Sequence, residues 1–175
     1  VIENTTIASN TATSTAFSSM GGGIYNYKGA INSMNNTIAY NKSTYGGGIN
    51  NADSGSVQIV NTILAGNTAT AQGPDCRETP LTSGGYNLIG STSSCTFSAK
   101  TGDKINIYSG LFSYQSDRLY ISLSPSSPAI NAGTLQNCPA LDQPGKSRPI
   151  GSSCEIGAFE YTPLVLDHRF YIPVL

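Results

Sequence analysis

The chain has 175 residues and a formal net charge of −1, and only 11% of its residues are Asp, Glu, Lys or Arg. A soluble domain usually carries roughly 25% charged residues, so Ser, Thr, Asn and Gly must form much of this surface. We expect no nucleic-acid partner, because that function needs clustered Lys and Arg. No apolar run approaches the roughly 18 residues of a membrane-spanning helix, so we expect no membrane span.

The chain begins at Val1, inside a patterned segment and without an initiator Met or a signal peptide. The simplest interpretation is a piece of a longer precursor. Further segments of the same polypeptide would then precede the residues described below.

A short motif of Asn, Thr and Ile recurs in the first part of the chain. It occupies residues 4–10, returns at 35–41, and returns again at 61–67 with one more residue after its Ile. We call these stretches the first, second and third Thr-Ile segments. A second block, Gly-Gly-Gly-Ile, occupies 21–26 and returns at 46–51. Repeats with a period of about 20–50 residues indicate a solenoid, a propeller or an array.

Each repeat holds two or three short runs of alternating apolar residues, broken by Gly, Asn and Ser and without helical periodicity. Three short strands in about 25 residues predict one coil of a parallel β-helix, whereas a propeller blade needs four strands in about 40 residues. Successive coils would stack about 4.8 Å apart, with equivalent side chains in rows. We therefore expect Ile7, Ile38 and Ile63 to stack inside the helix, and Ile24 to stack on Ile49.

A second row is predicted for the Asn that closes each segment, at Asn10, Asn41 and Asn67. A stacked Asn can bond its own backbone and tolerates a left-handed conformation. The Gly triplets give room for tight corners, and a phosphate-binding loop is disfavoured because no Lys-Ser/Thr follows them. Asn-x-Ser/Thr sequences at Asn4, Asn35 and Asn41 fit glycan acceptors, but their place in the repeat favours corner positions.

Four cysteines lie in the C-terminal part of the chain, at Cys76, Cys95, Cys138 and Cys154. Their positions favour two local disulfides, Cys76–Cys95 and Cys138–Cys154, although four cysteines allow three connectivities. The lack of a Cys-x-x-Cys spacing and the single His argue against zinc. Because disulfides are typical of exported proteins, we expect an extracellular or cell-surface location.

The repeat weakens after the third Thr-Ile segment, and a series of short motifs follows. These motifs read GPDC at 73–76, GYNLIG at 85–90, SPAINAG at 127–133, CPALDQPGKSRP at 138–149 and CEIGAFEY at 154–161. Together with the Thr-Ile segments, this order resembles bacterial exported parallel β-helix proteins of the choice-of-anchor Q type, over residues 1–161. The resemblance implies a right-handed helix, export, the same two disulfides and no catalytic residue.

We expect one domain in three parts. They are β-helix coils over 1–92, a disulfide-containing C-terminal capping region over 93–161 and an apolar tail over 162–175. The tail is similar to the Tyr-(Leu/Ile)-Pro-(Leu/Val) C-termini of exported proteins in filamentous Chloroflexota-type bacteria. The tail residues expected to act as an anchor or an assembly strand are Phe170, Tyr171, Ile172 and Pro173.

Catalysis on a β-helix needs clustered carboxylates, since lyases hold Ca²⁺ with several Asp and hydrolases place two or three Asp in one groove. The charged residues of positions 1–72 are only Glu3, Lys28, Lys42 and Asp53. We therefore predict no enzyme activity, no metal and no cofactor.

The other charged residues have structural interpretations. Asp75, Arg77 and Glu78 lie beside a cysteine in a predicted loop and are expected to be solvated. His168 is the only His and has no Cys or Ser nucleophile motif nearby, so we expect it to be a surface residue of the tail.

Two further pairs of charged residues lie near the second disulfide. We expect Asp142 and Arg148 to form an ion pair that holds the disulfide loop. Glu155 and Glu160 flank apolar residues, which suits edge charges that discourage stray strand pairing.

The favoured hypothesis is a non-catalytic extracellular structural protein, a subunit of a filament, sheath or surface layer. Each end of a β-helix exposes unpaired strand edges. Contact between one end and the different end of a neighbour does not close into a ring, so it builds polymers. The partner would be a second copy, head to tail, or upstream coils of the same precursor.

The alternative is a surface adhesin or carbohydrate-binding module that recognises cell-surface glycans. Its marker would be an exposed stripe of Tyr25, Tyr27, Tyr40 and Tyr45, because aromatic rings stack on sugars; ordinary strand packing is the competing explanation. A polysaccharide lyase or hydrolase is the third hypothesis, which two Asp side chains within about 10 Å in a groove would favour.

Overall fold

The computed structural model describes residues 1–15 and 18–163, the side chain of Thr79 excepted. In these residues the chain is all-β, and its one helical element is a 3-10 turn at Leu135–Asn137. The strands, numbered in chain order, are β1 (Ile2–Glu3), β2 (Thr6–Ala8), β3 (Ile24–Tyr27), β4 (Ala30–Met34), β5 (Thr37–Ala39), β6 (Lys42–Tyr45), β7 (Ile49–Ala52), β8 (Ser56–Val60), β9 (Ile63–Ala65), β10 (Thr68–Gln72), β11 (Cys76–Ser83), β12 (Leu88–Ile89), β13 (Cys95–Phe97) and β14 (Lys104–Ile105).

The pairings between these strands are parallel, and they build three sheets. The largest sheet has seven strands, in the order β1-β4-β8-β11-β7-β3 with β13 also paired to β11. A five-stranded sheet has the order β14-β12-β9-β5-β2, and β10 pairs with β6 in the third sheet. The prediction of an all-β chain with parallel strands is therefore confirmed.

The register of the five-stranded sheet follows the Thr-Ile segments. Ile7 of β2 lies opposite Ile38 of β5, and Ile38 lies opposite Leu64 of β9. Ile63, which the sequence analysis placed in this row, lies opposite Thr37 and belongs to the apolar cluster on the other face of the sheet. The segments have equal lengths and align on their closing Asn, but the Ile of the third segment stands one position earlier, which turns Ile63 to the opposite face.

The seven-stranded and five-stranded sheets share one apolar cluster. Ile49 of the larger sheet lies opposite Ile24 in this cluster. The five-stranded sheet contributes Ile38, Leu64 and Ile89, which are each 0% exposed. Full burial of one such side chain contributes about 1.5–3 kcal/mol, so this cluster is a main source of stability.

The described chain after β14 runs as loops and isolated bridges along the outer face of the five-stranded sheet. The sheet contributes Ala39, Ile63 and Leu88 to the second apolar cluster there. The C-terminal region contributes Leu111, Ile121, Leu123, Ala129, Ile156 and Phe159. Because this sheet is buried on both faces, its strands are apolar at successive positions, as in Ile63–Ala65.

Two disulfides hold the second half of the chain. Cys76–Cys95 joins β11 to β13, and Cys138–Cys154 closes a loop in the C-terminal region. They are the two local pairs that the sequence favoured. Their sequence separations are 19 and 16 residues. A disulfide that closes a loop of this size lowers the conformational entropy of the unfolded chain and so stabilises the fold by about 3 kcal/mol.

The corners of the fold contain residues with a positive φ in equivalent positions. One such row is Ser9, Tyr40 and Gly66, with φ of 57°, 58° and 71°. The sequence analysis placed the left-handed conformation one residue later, on the closing Asn, and this placement is wrong. Gly66 also has no room for a side chain, since an added Cβ would lie 2.9 Å from the Tyr40 ring.

Candidate functional site

The closing Asn of each Thr-Ile segment belongs to a row of side-chain hydrogen bonds. The Oδ1 of Asn41 accepts the backbone N–H of Asn10 at 3.0 Å and its Nδ2–H at 2.9 Å. The Oδ1 of Asn67 accepts the same two groups of Asn41, both at 2.9 Å. Asn41 and Asn67 are buried, and each satisfies the backbone N–H and the side-chain N–H of the Asn in the preceding repeat. The sequence had instead suggested that each Asn bonds its own backbone.

Asp75 ends this row. Its Oδ1 accepts the backbone N–H and the Nδ2–H of Asn67 at 3.0 and 2.9 Å, and its Oδ2 accepts the backbone N–H of Ser91 at 2.8 Å. Asp75 is 2% exposed, so the expectation of a solvated residue is wrong. Burial raises the pKa of the Asp75 carboxyl from its ordinary 3.8 to about 6, although the bonds from Asn67 and Ser91 act in the opposite direction.

A second row, which the sequence analysis missed, lies where the Thr-Ile segments begin. The Oδ1 of Asn36 accepts the backbone N–H of Thr5 at 2.8 Å. The Oδ1 of Asn87 accepts the backbone N–H of Thr62 at 3.0 Å, and the Oδ1 of Asp103 accepts that of Asn87 at 2.8 Å. Both rows thus end on an aspartate that follows a Gly within two residues, and this spacing is a sequence signal for the ends of the rows.

The first candidate site is the open end of the sheets, which we define as the outer edges of β1, β2 and β3. Within the described residues each of these strands pairs on one side only. Ile7 is partly exposed and Asn10 exposed here, whereas their equivalents Ile38 and Asn41 are 0% exposed. Unpaired edges of this kind present free N–H and C=O groups to which another strand can pair.

The C-terminal region reaches this open end. The Nδ2 of Asn4 donates to the backbone oxygen of Leu141 at 3.0 Å. The Oγ1 of Thr6 donates to the Oε1 of Gln143 at 2.5 Å. Two residues of the first Thr-Ile segment are therefore bound to a loop that lies 137 positions later in the chain.

The same loop contacts the last described residues. The Nζ of Lys146 donates to the Oγ1 of Thr162 at 2.9 Å, and Pro163 is the final residue that the structure describes. The predicted tail therefore starts next to the loop that binds the first Thr-Ile segment. The tail residues named above, Phe170, Tyr171, Ile172, Pro173 and His168, lie outside the described residues.

The second candidate site is a tyrosine surface on the outer face of the seven-stranded sheet. Tyr25 and Tyr27 lie two positions apart on β3, so they point to the same face. They are 49% and 55% exposed, and their ring centroids lie 6.4 Å apart with planes inclined by 30°. Lys28, beside the Tyr27 ring, pairs with Asp53 at 3.0 Å.

Asn50 belongs to this surface and was missed by the sequence analysis. It lies opposite Tyr25 of β3 and Arg77 of β11, between the two. Asn50 is 0% exposed, yet no described residue forms a hydrogen bond with its Nδ2 or its Oδ1. A buried polar group without a partner costs about 1–3 kcal/mol, so this amide reduces the stability of the fold.

Arg77 covers part of the same surface. Its Cζ lies 4.3 Å from the ring centroid of Tyr45, and it forms an ion pair with Glu78. Both charged side chains are only partly exposed, at 22% and 29%. The pair is therefore less solvated than the sequence predicted, and it leaves no uncompensated charge at this position.

Tyr40 lies apart from the other three tyrosines of the predicted stripe. Its hydroxyl donates to the backbone oxygens of Leu111 and Phe112, at 3.3 and 3.2 Å. It lines a different cavity, of about 420 Å³, together with Tyr108, and burial raises the pKa of its hydroxyl. The stripe is thus reduced to the two exposed rings of Tyr25 and Tyr27, since the Tyr45 ring lies under Arg77.

Buried charges hold the C-terminal region together. The Nη1 of Arg148 pairs with the Oε2 of Glu160 at 3.3 Å, and both side chains are 0% exposed. Asp142 instead accepts the backbone N–H of Glu160 at 2.9 Å and that of Lys146 at 2.6 Å. The predicted ion pair between Asp142 and Arg148 is therefore wrong, because backbone donors occupy the Asp142 carboxylate.

Glu155 and Glu160 are also not the edge charges that the sequence predicted, since they are 1% and 0% exposed. Burial raises the pKa of Glu155 strongly, and its hydrogen bond with Glu160 adds to the rise. The protonated form of Glu155 is therefore favoured, and the Arg148 guanidinium pairs with the neighbouring Glu160 carboxyl. Neither carboxyl has exposed surface with which to contact a substrate.

Among residues 1–15 and 18–163, no three His, Cys, Asp or Glu side chains are grouped so as to hold a metal ion. The same part of the chain contains no helix with the length and apolar character needed to cross a membrane.

Comparison with protein-family models, with curated proteins and with solved structures gave no match. The open end and the tyrosine surface are the two candidate sites of the described residues.

Proposed function

We propose that this protein is a non-catalytic extracellular structural subunit, a right-handed parallel β-helix of about 25-residue coils that stacks end to end into a filament, sheath or surface layer. Parallel pairing between successive repeats supports the β-helix. Two disulfides support an oxidising, extracellular location. The choice-of-anchor Q resemblance adds surface attachment to this proposal.

The observation that carries the proposal is the open end. The first and second Thr-Ile segments share their pattern and their register, yet Ile7 is partly exposed where Ile38 is 0% exposed. One more parallel strand against β2 would bury Ile7 as β2 and β9 bury Ile38. Such an addition would continue the five-stranded sheet without any change of conformation.

We take the occupant of the open end to be a second copy of the chain. The five-stranded sheet has β2 at one edge and β14 at the other, so the two edges differ in sequence and can meet head to tail. Ile105 on β14 is 37% exposed and offers apolar surface for this contact. Because the joined edges are different, each added copy leaves a new free edge and the assembly stays open.

The tail over 162–175, with Phe170, Tyr171, Ile172 and Pro173, is assigned to the same junction. Thr162 is bound by Lys146 in the loop that contacts the first Thr-Ile segment. Twelve residues after Pro163 can extend at most about 40 Å, which is enough to cross the end of one subunit and reach its neighbour.

The test compares four forms of the chain by light scattering on a sizing column and by electron microscopy. We expect the full chain to form ordered polymers, and the chain without residues 164–175 to run as a single molecule. Ile7→Lys should also abolish polymers, because it places an unpaired charge inside the junction. Leu135→Lys is the matched control, since Leu135 is 57% exposed in the 3-10 turn and should leave polymers intact.

Circular dichroism of each variant checks that the strands are retained. A full chain that stays a single molecule at high concentration would exclude the assembly. Polymers that persist in Ile7→Lys would show that copies meet through a surface other than the open end.

A further inference from the structure

We propose that the tyrosine surface, formed by Tyr25, Tyr27 and Asn50, is a binding site for an uncharged glycan chain. This site lies on the outer face of the seven-stranded sheet. Its two rings are on β3, whose outer edge belongs to the open end, but they project from the face of the sheet and not from its edge. It adds a ligand to the structural role proposed above and does not depend on assembly.

The two rings provide an apolar platform. Tyr25 and Tyr27 are each about half exposed, and their centroids lie 6.4 Å apart at an inclination of 30°. Such rings present adjacent apolar faces whose spacing is on the scale of a sugar unit, and the C–H faces of pyranose rings stack on aromatic faces of this kind. Their hydroxyls keep a polar tip at the edge of the platform, where sugar hydroxyls can reach them.

Asn50 supplies the polar part of the site. Its amide carries two donors and an acceptor, and none of them has a partner among the described residues. Tyr25 and Arg77 lie opposite Asn50 on the two neighbouring strands, and both are partly exposed. A ligand would reach the amide by displacing these side chains, with the Arg77–Glu78 pair kept. A sugar with neighbouring hydroxyls, one donating and one accepting, would satisfy the amide that the free protein leaves unpaired.

The charges around the platform select an uncharged ligand. Lys28 is paired with Asp53, and Arg77 with Glu78. Neither an acidic nor a basic glycan would find an uncompensated opposite charge here, and either would compete with an existing pair. Binding should therefore come from ring stacking and hydrogen bonds and should change little with salt.

The test exposes the full chain to immobilised neutral polysaccharides (β-glucan, mannan and galactan) and to polygalacturonate and alginate as acidic ones. We expect retention on at least one neutral polymer, and about a tenfold loss of affinity in Tyr25→Ala or Tyr27→Ala. Tyr108→Ala is the matched control, because Tyr108 is 79% exposed but lines a different cavity, and its affinity should equal that of the parent.

Asn50→Leu separates a binding role from a packing role. Leu has nearly the same volume and removes the unpaired amide, so the thermal midpoint should rise by a few degrees. Affinity for the neutral glycan should fall about tenfold in the same variant. Binding to acidic polymers alone, binding to none of them, or an Asn50→Leu protein that binds as the parent does would overturn the proposal.

Discussion

The first and second Thr-Ile segments are a natural comparison within one molecule. They are identical at five of seven positions and lie opposite each other in the same register. Their corner residues have nearly the same φ, at 53° and 54° for Asn4 and Asn35 and at 57° and 58° for Ser9 and Tyr40. Their burial differs most, because the second segment has a strand on both sides and the first has one.

The comparison shows that the backbone conformation of a segment and its burial have different causes. The motif adopts the same backbone with one neighbour as with two, so its shape is set locally by the turn residues and the alternation. Burial of Ile38 and Asn41 comes instead from the stack around them. The same substitution at equivalent positions of the two segments should therefore lower the free energy of unfolding by different amounts. The difference between the two variants measures the stability that the second neighbouring strand adds.

The largest difference should come from the buried Ile row. We expect Ile38→Ala to lower the free energy of unfolding by about 4 kcal/mol, because it empties a fully enclosed site. Ile7→Ala should cost about 2 kcal/mol or less, since that side chain already contacts solvent. Urea denaturation of both variants under conditions that keep the chain unassembled gives the two values. Equal costs would mean that the first segment is covered in solution.

The Asn row gives the next comparison. Asn41→Ala removes the acceptor of the Asn10 backbone N–H and the donor to the Ile7 carbonyl, so we expect a loss of about 3 kcal/mol. Asn10→Ala should cost less than about 1 kcal/mol, because Asn10 is exposed and water can replace its bonds. Denaturation curves for the pair check this, and a cost for Asn10→Ala as large as that of Asn41→Ala would contradict it.

The third segment, whose closing Asn67 donates to Asp75, adds a pH dependence that the first two lack. The pKa of Asp75 is about 6 in the folded chain and near 3.8 when it is unfolded, so the folded state holds its proton over a wider range. This contribution to stability is fully present below pH 3.8 and is lost as the pH rises to about 6, by roughly 2–3 kcal/mol.

Asp75→Asn isolates that contribution. The variant cannot titrate at this position, so its stability should lack the part of the decline between pH 4 and 6 that the parent shows. The raised pKa of Glu155 gives a further decline that begins above its ordinary pKa of 4.5; it is common to both proteins and cancels in the difference. Denaturation midpoints at several pH values give the two curves, and parallel curves would mean that Asp75 is solvated.

The sequence predicted the parallel pairing well, since identical residue types at a regular spacing can be buried together only by stacking. It misplaced Ile63 because the repeats were aligned on Ile, whereas the fold aligns them on Asn. A buried amide must keep its hydrogen bonds, whereas Leu64 fills the place of an Ile at little cost.

The errors at Asp75, Glu155 and Glu160 have another origin. Charged residues in loops were taken as solvated, but the C-terminal region packs on the five-stranded sheet and removes them from water. That packing depends on contacts between distant parts of the chain, which no local pattern contains. Asn50 was missed for the same reason, because its burial depends on side chains of two other strands.

The Asn row also has a direction. Each amide donates from Nδ2 toward the residue later in the chain, from Asn10 to Asn41, from Asn41 to Asn67 and from Asn67 to Asp75. An ionised carboxylate can only accept hydrogen bonds, so the row of donating side chains ends at Asp75. At the other terminus the Asn10 oxygen can still receive a donor. The row of amides therefore has a direction: Asp75 ends it on one side, and the free acceptor of Asn10 ends it on the other. A fibre made of such units would have two chemically different ends that grow at different rates.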